Sequence, residues 1–262
     1  YLDVPHGVEV TYSSDLPAMS GMGTSSAFTV GLLHALHGIR GEMVGAEELA
    51  LEALEIEQDV LKEAVGSQDQ VWAAFGGLRV IDFGPGPNDL VVRPVLLPPS
   101  RIRELEQHLM LVFTGLQRQA SVVAAEQIAA TPSKTRELSI MQQLVEAALQ
   151  VLCRPKVPMA AIGALLHESW ELKRSLTPHI SAPEIDAIYT RALRAGAIGG
   201  KILGAGSGGM FLLCVPPEKR EQVQWELTSH PDHPSLICLP VELEPAGSQI
   251  IHYQPHAIRR AA

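Results

Sequence analysis

The stretch Pro17-Ala18-Met19-Ser20-Gly21-Met22-Gly23-Thr24-Ser25-Ser26-Ala27 runs without interruption into Phe28–His37, an apolar segment long enough for several helical turns. No Asp, Glu, Lys or Arg occurs from Leu16 to Ile39. This pattern predicts a glycine-rich loop feeding a buried helix. Glycines let the backbone approach a ligand and take positive φ, and the unpaired N–H groups of a first helical turn favour an anion. The hydroxyls of Thr24, Ser25 and Ser26 add donors, and one can ligate a hard cation such as Mg²⁺. An ordinary strand-to-helix turn with a Ser/Thr cap fits the same residues. A Walker loop is excluded because the stretch has no lysine, and a third glycine at dinucleotide-fold spacing is missing. The segment's Gly, Ser, Thr and Pro content and its two histidines argue against a membrane span.

A second feature lies on the next predicted helix, Ala46 to Ala64. Its apolar stripe is Ala46, Leu49, Ala50, Ala53, Leu54, Val60, Leu61 and Ala64, and Glu57 falls on it. An inward carboxylate is costly unless it is paired or bound to a cation, so Glu57 is either a rim residue or a ligand. Gly66-Ser67-Gln68-Asp69-Gln70 then breaks the helix, and Asp69 either caps this turn or acts in chemistry. Periodicity predicts strands at 7–13, 78–83, 91–97, 109–113, 210–215, 236–241 and 248–253. It predicts helices at 100–108, 133–153, 159–176, 183–195 and 218–229. Lys173 lies near the apolar side of one of these helices, as a snorkelling lysine or a substrate contact. The last feature is Gly196 to Gly209, with seven glycines in fourteen residues, too many for one turn.

The net charge of −9 argues against a nucleic-acid surface but leaves a local cationic site open. Cys153, Cys214 and Cys238 are widely spaced, which implies neither a disulfide framework nor a zinc site. No signal peptide is read, so a cytoplasmic enzyme is expected. At 46% hydrophobic and 19% charged residues the 262-residue chain is globular, with room for one large domain or two smaller ones.

The first loop resembles the phosphate loop of the GHMP small-molecule kinases, whose pattern is Pro, three residues, Gly-Leu-Gly-Ser-Ser-Ala. Met22 stands for the leucine and Thr24 for the first serine. Lys201-Ile202-Leu203-Gly204-Ala205-Gly206-Ser207-Gly208-Gly209 resembles the family's third motif, and Gly66-Ser67-Gln68-Asp69-Gln70 resembles its catalytic-aspartate segment. Thr114-Gly115-Leu116-Gln117-Arg118-Gln119-Ala120-Ser121 and His167-Glu168-Ser169-Trp170-Glu171-Leu172-Lys173 look most like the heptose 7-phosphate kinases of that superfamily. The resemblance implies an α+β fold in two lobes: a ribosomal S5-like N-terminal lobe at 1–98, with its upstream strands absent, and a ferredoxin-like C-terminal lobe at 99–262. It implies ATP and Mg²⁺, with Pro17, Ser20, Gly21, Met22, Gly23, Thr24, Ser25 and Ser26 at the nucleotide and Ser25 and Glu57 at the metal. Asp69 would be the catalytic residue, and Arg118, Lys173 and Gly206 would lie at the substrate. The implied reaction phosphorylates the anomeric hydroxyl of a heptose 7-phosphate, toward nucleotide-activated heptose for surface polysaccharide. A fucose or arabinose kinase and a non-catalytic sugar- or nucleotide-binding relative are the alternatives. A small-molecule sugar phosphate is the expected partner, with no nucleic acid and no membrane, and a homodimer is left open.

Overall fold

The computed structural model describes residues 1–4, 7–14, 22–86, 89–116, 120–229 and 236–254. The chain forms two compact units. The described part of the first takes in residues 1–4, 7–14, 23–86, 89–94 and 244–254, and that of the second residues 22, 95–116, 120–229 and 236–243.

The first unit is built on three helices. Helix α1 (Thr24–Arg40) starts after Gly23 and stops at Gly41, which takes a left-handed φ of 76°. Helix α2 (Ala46–Leu54) continues directly into one π-helical segment, Glu55–Val60. Helix α3 (Gln68–Phe75) follows, and strands β1 (Arg79–Phe83) and β2 (Leu90–Pro94) pair antiparallel with Ile81 opposite Val92. Val30 and Leu33 of α1, Leu49, Ala50 and Ala53 of α2, and Val71 and Ala74 of α3 form its core.

The predicted stripe holds through Leu54 and Glu57, but Val60 and Leu61 are each 58% exposed. The π segment accommodates an extra residue in its turn, so the residues from its last position onward leave the inward phase. Residues 7–14 form no strand: Val8, Val10 and Tyr12 alternate but all stay exposed, and no ladder among the described residues partners them. The stretch 248–253 is likewise not a strand. Instead, Ser248 N donates to Ala73 O at 2.9 Å and Gly77 N to Glu244 O at 2.8 Å. These bonds tie residues 244–254, expected with the second lobe, to the end of α3 in the first unit.

The second unit contains helix α4 (Pro99–His108), strand β3 (Leu109–Phe113), helices α5 (Ala120–Ala130), α6 (Thr135–Cys153), α7 (Ala161–Arg174) and α8 (Pro183–Ala195), strands β4 (Gly199–Ile202) and β5 (Met210–Cys214), helix α9 (Arg220–Thr228) and strand β6 (Ile237–Pro240). The sheet order is β4-β5-β3-β6 with every pair antiparallel, a ferredoxin-like split β-α-β arrangement. Helix α8 is bounded by Pro183 at its first position and Gly196 at its C-cap, and its stripe Ile185, Ile188, Tyr189 and Ala192 is wholly buried. Tyr189 stacks on Phe211 of β5 at 5.2 Å between centroids, and Trp170 meets Phe211 edge-on at 5.6 Å.

One buried cation serves the fold alone. Arg101 of α4 is 6% exposed and donates to Val151 O at 2.6 Å, Val157 O at 2.8 Å and Leu152 O at 3.2 Å. It thereby satisfies carbonyls at the C-terminal end of α6 that have no partner within the helix.

Candidate active site

Gly23 is the N-cap of α1 and sits in the left-handed region with φ 66° and ψ 23°. Ala27 N donates to Gly23 O at 2.9 Å and closes the first turn. No side chain among the described residues caps this end and no acidic residue stands in the first turn, while His37 and Arg40 occupy the last. Within the helix itself the charges match the dipole only at the C-terminal end, and the acidic groups near the N-terminal end come from other elements.

Two acidic side chains converge near this end. Asp69 lies in the first turn of α3. A Cβ built on Gly23 would stand 2.9 Å from the Asp69 carboxyl carbon and 2.9 Å from Oδ2. The Asp69 side chain therefore fills the space that glycine leaves. The helical run ends at Val60, earlier than the expected break at Gly66, and helix resumes at Gln68, so Asp69 projects from a helix start rather than from an irregular loop.

Glu57, on the π segment, is 1% exposed. Its Oε2 accepts from Ser26 Oγ at 2.9 Å and from Gln70 Nε2. Its Oε1 is buried and has no hydrogen-bond partner among the described residues. Burial of a carboxylate with one oxygen unsatisfied is costly. The arrangement links α1, the π segment and α3 through one carboxylate.

The sequence reading named Ser25 and Glu57 as metal ligands; the hydroxyl seen to hydrogen-bond Glu57 is that of the next residue, Ser26. Ser25 is exposed on α1, and its carbonyl accepts from Thr29 Oγ1 at 3.2 Å. Thr24 is half-buried at the helix start and Met22 is half-buried before it. Pro17, Ser20, Gly21 and Arg118 lie outside the described residues. Gln70 was missed; its signal was its position one residue after Asp69, in the first turn of a helix that the glycine-flanked spacing concealed. The first unit thus brings together Gly23, Ser26, Glu57, Asp69 and Gln70.

Two of the named residues lie in the second unit. Lys173 of α7 is 8% exposed, and its Nζ donates to Gly204 O. Gly206 has φ 120°, and a Cβ there would stand 2.8 Å from Ile180 O. Its bareness serves close backbone packing within that unit. No cluster of three or more His, Cys, Asp or Glu suited to a metal occurs among the described residues. No helix among them is long and apolar enough to cross a membrane.

Comparison with known proteins bears on the same residues. Residues 1–77 match the family described as GHMP kinases N terminal domain, and residues 158–233 match GHMP kinases C terminal. The chain is 31% identical over 211 residues to D-glycero-alpha-D-manno-heptose 7-phosphate kinase of Campylobacter jejuni, covering 80% of this chain and 61% of that protein. It is 28% identical over 230 residues to the bifunctional fucokinase/GDP-fucose pyrophosphorylase of Arabidopsis thaliana, covering 86% of this chain and 21% of that protein. The crystal structure of a D-glycero-D-manno-heptose 1-phosphate kinase from Bacteriodes thetaiotaomicron superposes with a TM-score of 0.64 at 28% identity, over 89% of this chain and 64% of that one. The chain therefore spans less than two thirds of each of these proteins. The two family matches take in both the loop-and-carboxylate site and the late glycine cluster, and the chain belongs to the GHMP kinase family.

Proposed function

We propose that this chain carries the nucleotide and acceptor machinery of an ATP-dependent, cytoplasmic sugar kinase. Its acceptor is the anomeric hydroxyl of a heptose 7-phosphate, and its product feeds nucleotide-heptose synthesis for surface polysaccharide. The observation that carries this reading is the placement of Asp69 against Gly23 at the uncapped start of α1. The names of the heptose phosphate kinases among its relatives support the acceptor class.

In this reading the first-turn N–H groups of α1 and the loop Pro17–Ser26 hold the ATP phosphates. The unsatisfied Oε1 of Glu57 fits a hard cation, and Glu57 with Ser25 would hold Mg²⁺. When bound, Mg²⁺ neutralises charge developing on the transferred phosphoryl group. Ser26 and Gln70 fix the Glu57 carboxylate by gripping its other oxygen. Asp69 accepts the proton of the attacking hydroxyl, or orients that hydroxyl, a role worth about 10²–10⁴-fold in rate. Arg118 or Lys173 would neutralise charge on the substrate.

The test is a panel of sugars and sugar phosphates with ATP and Mg²⁺, using a protein that contains this chain. Turnover of heptose 7-phosphate but not of free fucose is expected. Turnover of fucose alone would replace the acceptor assignment, and nucleotide binding without any product would replace the enzymatic one.

A further inference from the structure

The second unit holds a cavity of about 300 Å³ whose wall includes three lysines, Lys134, Lys173 and Lys201, together with Gln127, Thr131 and aliphatic side chains such as Leu138. These residues come from separate places in the fold: α5, the turn after it, the cap and body of α6, α7 and β4. None of the cavity's lining residues is acidic. Lys134 Nζ stands 3.6 Å from Glu137 and donates to Ser175 O at 2.7 Å. Lys173 is anchored on the Gly204 carbonyl, and the Gln127 amide donates to Ala205 O at 2.5 Å. The glycine cluster between β4 and β5 thus supplies carbonyls that hold cavity-lining side chains in place.

A buried lysine ammonium loses hydration, a cost that an anion beside it relieves. Burial already holds the Lys201 ammonium below the usual lysine range. Lysine serves as a point-charge binder of phosphate, and a phosphate monoester carries close to two negative charges at neutral pH. The volume exceeds that of bare phosphate and lies at the small end of ligand sites, while the aliphatic wall suits a small organic body.

We propose that this cavity is a receptor for a phosphate monoester. The inference goes beyond the kinase reading and stands without it: Lys173 is common to both, whereas Lys134 and Lys201 have no part in the catalytic assignment. The phosphate is either that of the acceptor itself or that of a separate effector, since both present the same chemistry.

The test is calorimetric titration of inorganic phosphate, and of a hexose 6-phosphate against the unphosphorylated hexose, into the whole chain without nucleotide. Saturable binding of both phosphates and none of the hexose is expected. Lys201→Met is expected to weaken phosphate binding about tenfold or more, as for loss of one charge-assisted contact, and Lys201→Arg to retain it. Should Lys201→Met fail to fold, Lys134→Met, at a half-buried position, is expected to weaken binding several-fold. If the acceptor's own phosphate is the ligand, Lys201→Met raises the KM for sugar phosphate and leaves that for ATP unchanged. If a separate effector is the ligand, the KM for sugar phosphate stays put while Lys201-dependent phosphate binding persists. The proposal is overturned if phosphate does not bind, or binds the lysine variants as it binds the parent. Lys201-dependent binding in a chain that turns over no sugar would sink the kinase reading and leave this one standing.

Discussion

The carboxylate of Asp69 occupies the space a side chain on residue 23 would fill: its carboxyl carbon is 2.9 Å from the ideal Cβ position of Gly23. The bareness of the loop's last glycine and the location of the acidic group are therefore one structural fact. Gly23 has two reasons to be glycine, its left-handed φ and this contact.

Gly23→Ala accordingly combines left-handed backbone strain of about 1–2 kcal/mol with displacement of Asp69. A modest fall in melting temperature is expected, together with a fall in turnover of about tenfold or more, the rate equivalent of roughly 1.4 kcal/mol. Differential scanning fluorimetry and a coupled kinase assay measure the two. An unchanged rate would show that Asp69 need not sit where it does.

Ser26 and Glu57 give separable expectations. Ser26→Ala leaves the buried Glu57 Oε2 with the Gln70 donor alone among its described partners. It should destabilise the chain by about 1.5–3 kcal/mol, the range for a hydrogen bond to a charged group, as read by urea unfolding. Glu57→Gln retains a hydrogen-bonding oxygen but removes the charge offered to a cation. It should raise the Mg²⁺ concentration for half-maximal activity about tenfold or more. If the Mg²⁺ dependence is unmoved, Glu57 is not a metal ligand.

His37 makes the first unit's stability depend on pH. It is buried between Glu52, 2.7 Å from Nε2, and Glu42, 2.9 Å from Nδ1. Burial by itself pulls the imidazole pKa down, but the hydrogen bonds and charges of Glu52 and Glu42 outweigh this and raise it above 6.5. A raised folded value means stability that is fully present below pH 6.5 and lost as pH rises through the folded value. The melting-temperature advantage of the parent over His37→Gln should therefore shrink from pH 6 to pH 9. An advantage that grows with pH would contradict the assignment of a charged His37.

Much of the second unit was legible because its elements are regular. The Pro183 start, the Ile185-Ile188-Tyr189-Ala192-Leu193 stripe, whose last member is only partly buried, and the Gly196 stop mark α8 without tertiary information. Strand β4 was not legible: Gly199 and Gly200 carry no strand pattern, and what fixes them there is pairing with Cys214 and Leu213 of β5. In the first unit, periodicity placed Glu57 on the inward face but continued the stripe to Val60 and Leu61, since a π segment leaves no mark in an apolar pattern. The bond from Ser26 to Glu57 was not legible either, because neighbouring hydroxyls are told apart only by which way the helix turns them. Arg101 reads as an ordinary surface charge in α4, and its capping partners lie some fifty residues away.

The most direct measurement is the rate and the ATP affinity of Asp69→Asn, an isosteric change that keeps the packing against Gly23 and removes the carboxylate. Turnover of the sugar acceptor should fall by about 10²–10⁴-fold while ATP binds as it does to the parent. Near-parental turnover, or a loss of ATP binding that accounts for the whole fall in rate, would contradict the role given to Asp69.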